Sequence, residues 1–139
     1  MRVLLLEHVS VTSPEELEDE VTGWYRDLLG LEEMEKPPGT RDKGAWFRVG
    51  EQQVHITIDE HNPAKVSHFG MIVDDLADVV ERLRTAGCHI EQASPIPGRR
   101  RFYTRDPAGN RLEIISIEDS ARVVAFEETG SIGIRAEES

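Results

Sequence analysis

Three histidines and one glutamate fall where their side chains could act together: His8, His55, His68 and Glu113. His8 and His68 are 60 residues apart, and His55 and Glu113 are 58 apart, so two pairs recur at nearly one spacing. Imidazole and carboxylate suit a divalent first-row metal, and the set does not choose among Fe, Ni, Zn and Mn. Three or four protein ligands leave positions open for water or substrate, the mark of a reactive site. The single cysteine, Cys88, excludes a thiolate site. Each residue also has an ordinary reading. A lone histidine is commonly half-buried without a ligand, and Glu113, inside the apolar run RLEII, could pair with Arg101 or Arg111 to offset its burial.

The elements that must carry these residues repeat. Ser13-Pro14-Glu15-Glu16 reads as an N-cap, a proline at the first helical position and a capping-box glutamate. Leu17, Val21, Trp24 and Leu28 then form one helical stripe ending at Gly30. A second helix starts near Asp74 or Asp75, buries Leu76, Val79, Val80 and Leu83, and stops at Gly87. Strand-like segments at 2–11 and 66–73 precede the helices. Segments at 31–34, 45–49 and 53–58 follow the first helix, and 88–91, 101–104 and 111–117 follow the second. The last two are joined by the turn Asp106-Pro107-Ala108-Gly109-Asn110. The order β-α-β-β-β therefore occurs twice, over about 1–60 and 65–117, with a loop around 60–64 between. This predicts an α+β fold of two βαβββ modules forming a curved, cupped mixed sheet with helices outside. Residues 118–139 form an acidic C-terminal tail.

Alternation along the strands tests the ligand set, because neighbouring side chains point to opposite faces. In QVHITI, His55 opposes Val54 and Ile56; in RLEII, Glu113 opposes Leu112 and Ile114. His8 and His68 are likewise opposite their strands' apolar residues, with Glu7 an exception. All four are expected on the hollow face. His61, in the loop, is expected to be exposed, and His89 exposed or partly buried. Neither has a counterpart in the repeat.

Composition bounds the rest. The chain has 139 residues, one compact domain's worth, with 38% hydrophobic and 31% charged residues. A formal charge of −11 argues against nucleic acid, which needs a basic footprint. No apolar run approaches the roughly 20 residues that span a bilayer. Glu7 and His8 interrupt the N-terminal leucines too early for a signal peptide. One cysteine fits a reducing compartment. The expectation is a cytoplasmic protein without membrane or nucleic-acid partners. Arg99-Arg100-Arg101 is the one basic cluster, and Arg99-Arg100, after Pro97-Gly98, is read as a mobile rim.

The strand-borne His8, WYRDLLGL, GAWF, VHI, SHFGMIV and FYTRDPAGNRLEI, in this order, resemble the vicinal oxygen chelate superfamily. That group includes glyoxalase I, extradiol dioxygenases, fosfomycin-modifying thiol transferases and bleomycin-binding proteins. The resemblance spans about residues 3–117. It implies paired βαβββ modules around a divalent metal, often in a homodimer, with His8, His68 and Glu113 as ligands. His55 stands where glyoxalase I has a ligand glutamate. A mechanism using two glutamates therefore does not transfer directly; Glu113 would act alone, or metal-activated water would substitute.

Around this set, Trp46 and Phe47 offer an aromatic substrate wall, although strand neighbours face opposite ways and at least one must be core. Arg101 could clamp a substrate carboxylate, and Tyr103 could orient or protonate a substrate oxygen beside Glu113. Both also read as surface residues near a turn. The leading expectation is a metal-dependent, glyoxalase-like lyase or isomerase acting on a small oxygen-bearing substrate. The alternatives are a non-haem iron extradiol dioxygenase, which a 2-His-1-carboxylate set permits, and a sequestering protein without turnover.

Overall fold

The computed structural model describes residues 1–118; the acidic tail, apart from Glu118, lies outside the described residues. Its strands are β1 (His8–Ser13), β2 (Glu32–Met34), β3 (Ala45–Val49) and β4 (Gln52–Ile58), then β5 (Phe69–Ile72), β6 (Glu91–Gln92), β7 (Arg99–Arg105) and β8 (Arg111–Ile117). They form two four-stranded sheets of identical plan, β1-β4-β3-β2 and β5-β8-β7-β6, each with one parallel pair. The two βαβββ modules are thus present as expected, and each sheet remains separate. β1 and β5 lie at sheet edges.

A helical run over 15–28 joins β1 to β2. It is a 3-10 turn (Glu15–Leu17), an α-helical stretch α1 (Glu18–Gly23) and a π-helical stretch (Trp24–Leu28). The expected Ser13 cap does not form. Pro14 is extended (φ −67°, ψ 155°), so the chain turns helical one residue later, and the Ser13 hydroxyl donates to the Pro14 carbonyl at 2.9 Å. The wider π-helical turn buries both Trp24 and Tyr25, adding a residue to the expected stripe. In the second module α2 (Leu76–Thr85) is capped by Asp75, whose side chain accepts from the Asp78 amide. β1 and β5 begin later than the apolar runs suggest, leaving His68 just outside β5. The third segment is also displaced, from 88–91 to Glu91–Gln92.

One core serves both modules. Val21, Tyr25, Phe47 and Ile56 from the first pack in one cluster with Leu83, Phe102, Leu112 and Ile114 from the second. The polar centre of this junction is Asp106, 4% exposed. Its Oδ1 accepts from the amides of Ala108 and Asn110 at 2.9 and 3.0 Å. Its Oδ2 accepts from the Asn110 side-chain amide at 2.8 Å and from the Tyr25 hydroxyl at 2.7 Å. The DPAGN turn therefore holds its own shape and grips the other module. Asn110 extends the grip by donating to the Thr12 carbonyl at 2.9 Å.

The connection between modules is held by side chains rather than left loose. His61, expected to be exposed, is part-buried and bridges Thr12 Oγ1 (2.7 Å) and the Ala108 carbonyl. Arg105 donates to the carbonyls of Ala64 and Lys65. Pro63 packs against Gly109, whose φ of +87° and lack of a side chain allow the approach. Across the interface Trp24 Nε1 donates to Cys88 Sγ at 3.3 Å.

Burial, and then the neighbouring Asp106 carboxylate, push the Tyr25 hydroxyl well above its ordinary pKa of 10.0. Hydrogen bonds to a charged partner contribute about 1.5–3 kcal/mol, so Tyr25→Phe should destabilise the protein by about 2 kcal/mol in urea titration. The sign with pH follows from the unfolded chain, where tyrosine ionises near pH 10 while the folded residue stays neutral. Tyr25 therefore contributes fully below pH 10 and less as pH rises above it. The wild type should lose stability more steeply than Tyr25→Phe above pH 10; parallel slopes would contradict the assignment.

Candidate metal centre

Strand register places the four residues in equivalent positions. Ser10 pairs with His55 across β1 and β4, and Gly70 pairs with Glu113 across β5 and β8. His8 and His68 each precede that paired residue by two and lie on its face. The equivalence extends to the next strand, where Trp46 pairs with His55 and Tyr103 with Glu113. Each module therefore presents a histidine, a second donor and an aromatic ring along one line of its sheet.

The two lines differ in detail. In the first module Trp46, His55 and His8 stack face to face, with centroids 3.9 and 4.2 Å apart and interplanar angles of 3° and 14°. His55 is buried, and its Nε2 meets Gln53 Oε1 at 2.7 Å. Burial, and then the charge of neighbouring His8, hold the His55 pKa below its usual range against the opposing pull of Glu7. His8 Nδ1 lies 3.0 Å from Glu7 Oε1, and its Nε2 makes no hydrogen bond among the described residues. Phe47 is fully buried in the core, 6.1 Å from the Tyr25 ring, so Trp46 alone faces the site side of the hairpin.

In the second module His68 Nε2 lies 3.4 Å from Glu113 Oε2. His68 Nδ1 lies between the Val66 carbonyl at 3.0 Å, an acceptor, and Arg111 Nη1 at 3.4 Å, a donor. Glu113 Oε1 accepts from Arg101 Nη1 at 3.0 Å, and the same nitrogen donates to the Tyr103 hydroxyl at 3.0 Å. Arg101 Nη2 donates to the Ser94 carbonyl at 2.7 Å. Glu113, and then Tyr103, raise the Arg101 guanidinium above its ordinary pKa. Arg111 is the residue that sequence reasoning did not assign to the site. Its Cζ sits 3.6 Å above the Tyr103 ring centroid, within reach of Glu91 and the Val66 carbonyl. Alternation alone could have found it, because it lies two residues before Glu113 on the same face.

Two donors of the second module stand at a spacing that a shared metal ion would allow, and further ligands would have to come from elsewhere. Donors sharing an ion at bonds of about 2.1 Å lie about 3.0–3.4 Å apart, and His68 Nε2 and Glu113 Oε2 meet that spacing. Gly70 keeps the space open: a Cβ there would lie 3.7 Å from Glu113 Oε2 and 3.2 Å from Ile115 Cδ1. The first module's rings are stacked rather than convergent, so joint coordination by His8 and His55 requires one to rotate. The structure brings His8 to His55 and His68 to Glu113, but not pair to pair. Among the described residues no three His, Cys, Asp or Glu side chains gather around one point.

Comparison with known proteins agrees with this duplicated architecture. Residues 19–114 match the model of the Glyoxalase/Bleomycin resistance protein/Dioxygenase superfamily, and the chain belongs to that superfamily. A structure described as a glyoxalase family protein from Bacillus anthracis is 32% identical (TM-score 0.75), covering 84% of this chain and 99% of that one. A lactoylglutathione lyase from Agrobacterium tumefaciens is 26% identical (TM-score 0.60), covering 81% and 92%. TnmS3, an antibiotic binding protein from Streptomyces sp. CB03234, shares the fold at 16% identity (TM-score 0.67), covering 84% and 98%. No curated protein matches the sequence. Among the described residues no helix is long and apolar enough to cross a membrane.

The Arg101–Glu113 pair has little exposed surface on either side chain, 12% and 13%. Contacting residues of this kind couple by about 0.5–3 kcal/mol. A double-mutant cycle of Arg101→Met and Glu113→Gln, read by urea unfolding, should give coupling within that range. Strict additivity would mean the pair is not formed in solution.

Proposed function

We propose that the chain is a metal-dependent enzyme of the glyoxalase type, acting on a small oxygen-bearing substrate. The observation that carries this reading is the approach of His68 Nε2 to Glu113 Oε2 at 3.4 Å, on the face that His8 and His55 occupy in the other module. His8 and His55 stand in the equivalent positions of the other module and supply the remaining ligands. The 26% identity to a lactoylglutathione lyase supports the reaction class.

A divalent ion here would polarise a carbonyl or activate water. The chain's own residues set the proton chemistry. Glu113 is the one carboxylate in the ligand set, and Arg101 fixes its Oε1, leaving Oε2 to face the site. Tyr103 accepts a hydrogen bond from Arg101, so its own hydroxyl proton is directed elsewhere and can be donated to a substrate oxygen. Trp46 provides an apolar wall, and Arg101 keeps one Nη2 hydrogen for a substrate carboxylate. Protein purified without chelator should carry a divalent metal by elemental analysis, and His68→Ala should lose it. Hemithioacetal should be consumed without oxygen uptake. Absence of metal in the wild type would remove the enzymatic reading.

The site is completed, in this proposal, by a second copy of the chain. Val3, Leu4, Leu5 and Leu6 are 60–85% exposed and lead directly into β1, and Val66, 71% exposed, lies just before His68. Apolar side chains thus flank β1, which begins at His8, and the segment that leads through His68 into β5, and such edges are ready to pair with another chain. Leu5→Asp should convert a dimer to a monomer in sedimentation and release metal. A wild type that is monomeric at micromolar concentration yet still binds metal would place all four ligands within one chain.

A second reading rests on the Trp46–His55–His8 stack, a ready platform for a planar ligand. It predicts a sequestering protein whose ligand affinity survives His68→Ala. Metal-free binding would select it.

A further inference from the structure

We infer that the Nε–Nη2 edge of Arg101 is a carboxylate subsite, and that the loop at 93–98 is its removable cover. This deepens the reading of the cup as a small-molecule site. It names an anionic carboxylate as the ligand class and requires no metal. The starting point is an incomplete set of hydrogen bonds on a buried guanidinium. Both Nη1 hydrogens of Arg101 are engaged, one by the Tyr103 hydroxyl and one by Glu113 Oε1, each at 3.0 Å. Nη2 donates to the Ser94 carbonyl at 2.7 Å, while Nε, sealed from solvent, has no partner among the described residues.

In arginine the Nε–H and one Nη2–H lie parallel along one edge, spaced for the two oxygens of a carboxylate. Here a single carbonyl covers that edge and satisfies half of it. A buried donor left without an acceptor is costly. A ligand carboxylate in the place of the Ser94 carbonyl would accept from both nitrogens, each through a charge-assisted bond. Arg111 provides the contrast. Its Nε is also unpartnered among the described residues, but a carboxylate oxygen, Glu91 Oε1, already lies 3.5 Å from its Nη2.

The cover can leave because little else holds it. Residues 94–98 are exposed, and Ser94 and Pro95 make no other hydrogen bond among the described residues. The far end of the loop stays fastened. The Ile96 carbonyl accepts from the Arg99 amide at 3.4 Å, and the Gly98 carbonyl accepts from the Glu118 amide at 2.9 Å. The segment can therefore swing from its attachment at Ile96 without unpairing β7 from β8. The first module lacks this device. Its equivalent loop, 35–44, is fastened by Lys36 to the carbonyls of Arg41 and Lys43, and by Arg41 to Ile58 and Asp59. None of those bonds involves His8, His55 or Trp46, whereas the cover in the second module is tied to the guanidinium that holds Glu113.

The test uses the full chain, kept metal-free with chelator, and propionate as the probe. Propionamide and sodium chloride at matched ionic strength are the controls, and nuclear magnetic resonance is the readout. The Arg101 Nε–H signal should move with propionate and stay in place with either control. Order parameters of the Ser94 and Ile96 amides should fall in step with it, from about 0.85 to below about 0.6. Arg101→Lys, which keeps the charge but not the fork, should bind propionate about 10-fold more weakly or worse, the loss of one charge-assisted hydrogen bond. Pro95→Gly slackens the cover without touching the guanidinium and should bind propionate more tightly than the wild type. A moving Arg101 signal with Ser94 and Ile96 still ordered overturns the cover. A still Arg101 signal, or an equal response to chloride, overturns the subsite. Metal analysis of the wild type decides the metal reading separately, and that reading can fail while this subsite stands.

Discussion

The Asp106 carboxylate is the constraint on which the arrangement depends. It is nearly inaccessible to water and carries four hydrogen bonds, three from its own turn and one from Tyr25 in the other module. A buried carboxylate with fewer partners would be costly to the fold. The same four bonds shape the DPAGN turn, start β8 in the correct register, and lock the π-helical turn of the first module against the second. The position of Glu113 on β8 follows from that register. A structural carboxylate and a candidate catalytic one, seven residues apart, are thus linked through the strand between them.

Much of this was legible in the sequence because alternation and repetition are properties of the backbone. The β-α-β-β-β order, the α2 cap at Asp75 and the shared face of Arg101, Tyr103 and Glu113 all follow from local rules. The expected meeting of all four donors at one cation is not what the structure shows: His8 lies against His55 and His68 against Glu113, as two separate pairs. Strand starts were less legible. The leucines before His8 have the side chains of a strand, but the ladder begins only where β4 offers partners.

Other features depended on tertiary context that no spacing encodes. Ser13 looked like a cap, yet the extended Pro14 moved the helix start. His61 had no counterpart in the repeat and looked idle, whereas it bridges the two modules. Tyr25 lay beside the apolar stripe rather than on it; the π-helical turn carries it into the core, where its hydroxyl meets Asp106. Arg111 was visible only as a possible partner for Glu113. Its flat contact with Tyr103 required the register of β7 against β8.

The tethered segment between the modules limits how the chain can assemble. Carbonyls of residues 64, 65 and 66 are each occupied by an arginine from the β7–β8 hairpin, and His61 spans to Thr12 and Ala108. Passing one module to a neighbouring molecule would first require peeling this strap from the hairpin, together with the hydrophobic interior that both modules share. Exchange of modules between folded molecules would therefore be slow compared with docking and release of intact ones. Any association of copies would then proceed with each molecule already in its final internal arrangement, by addition of surfaces rather than by trading of parts.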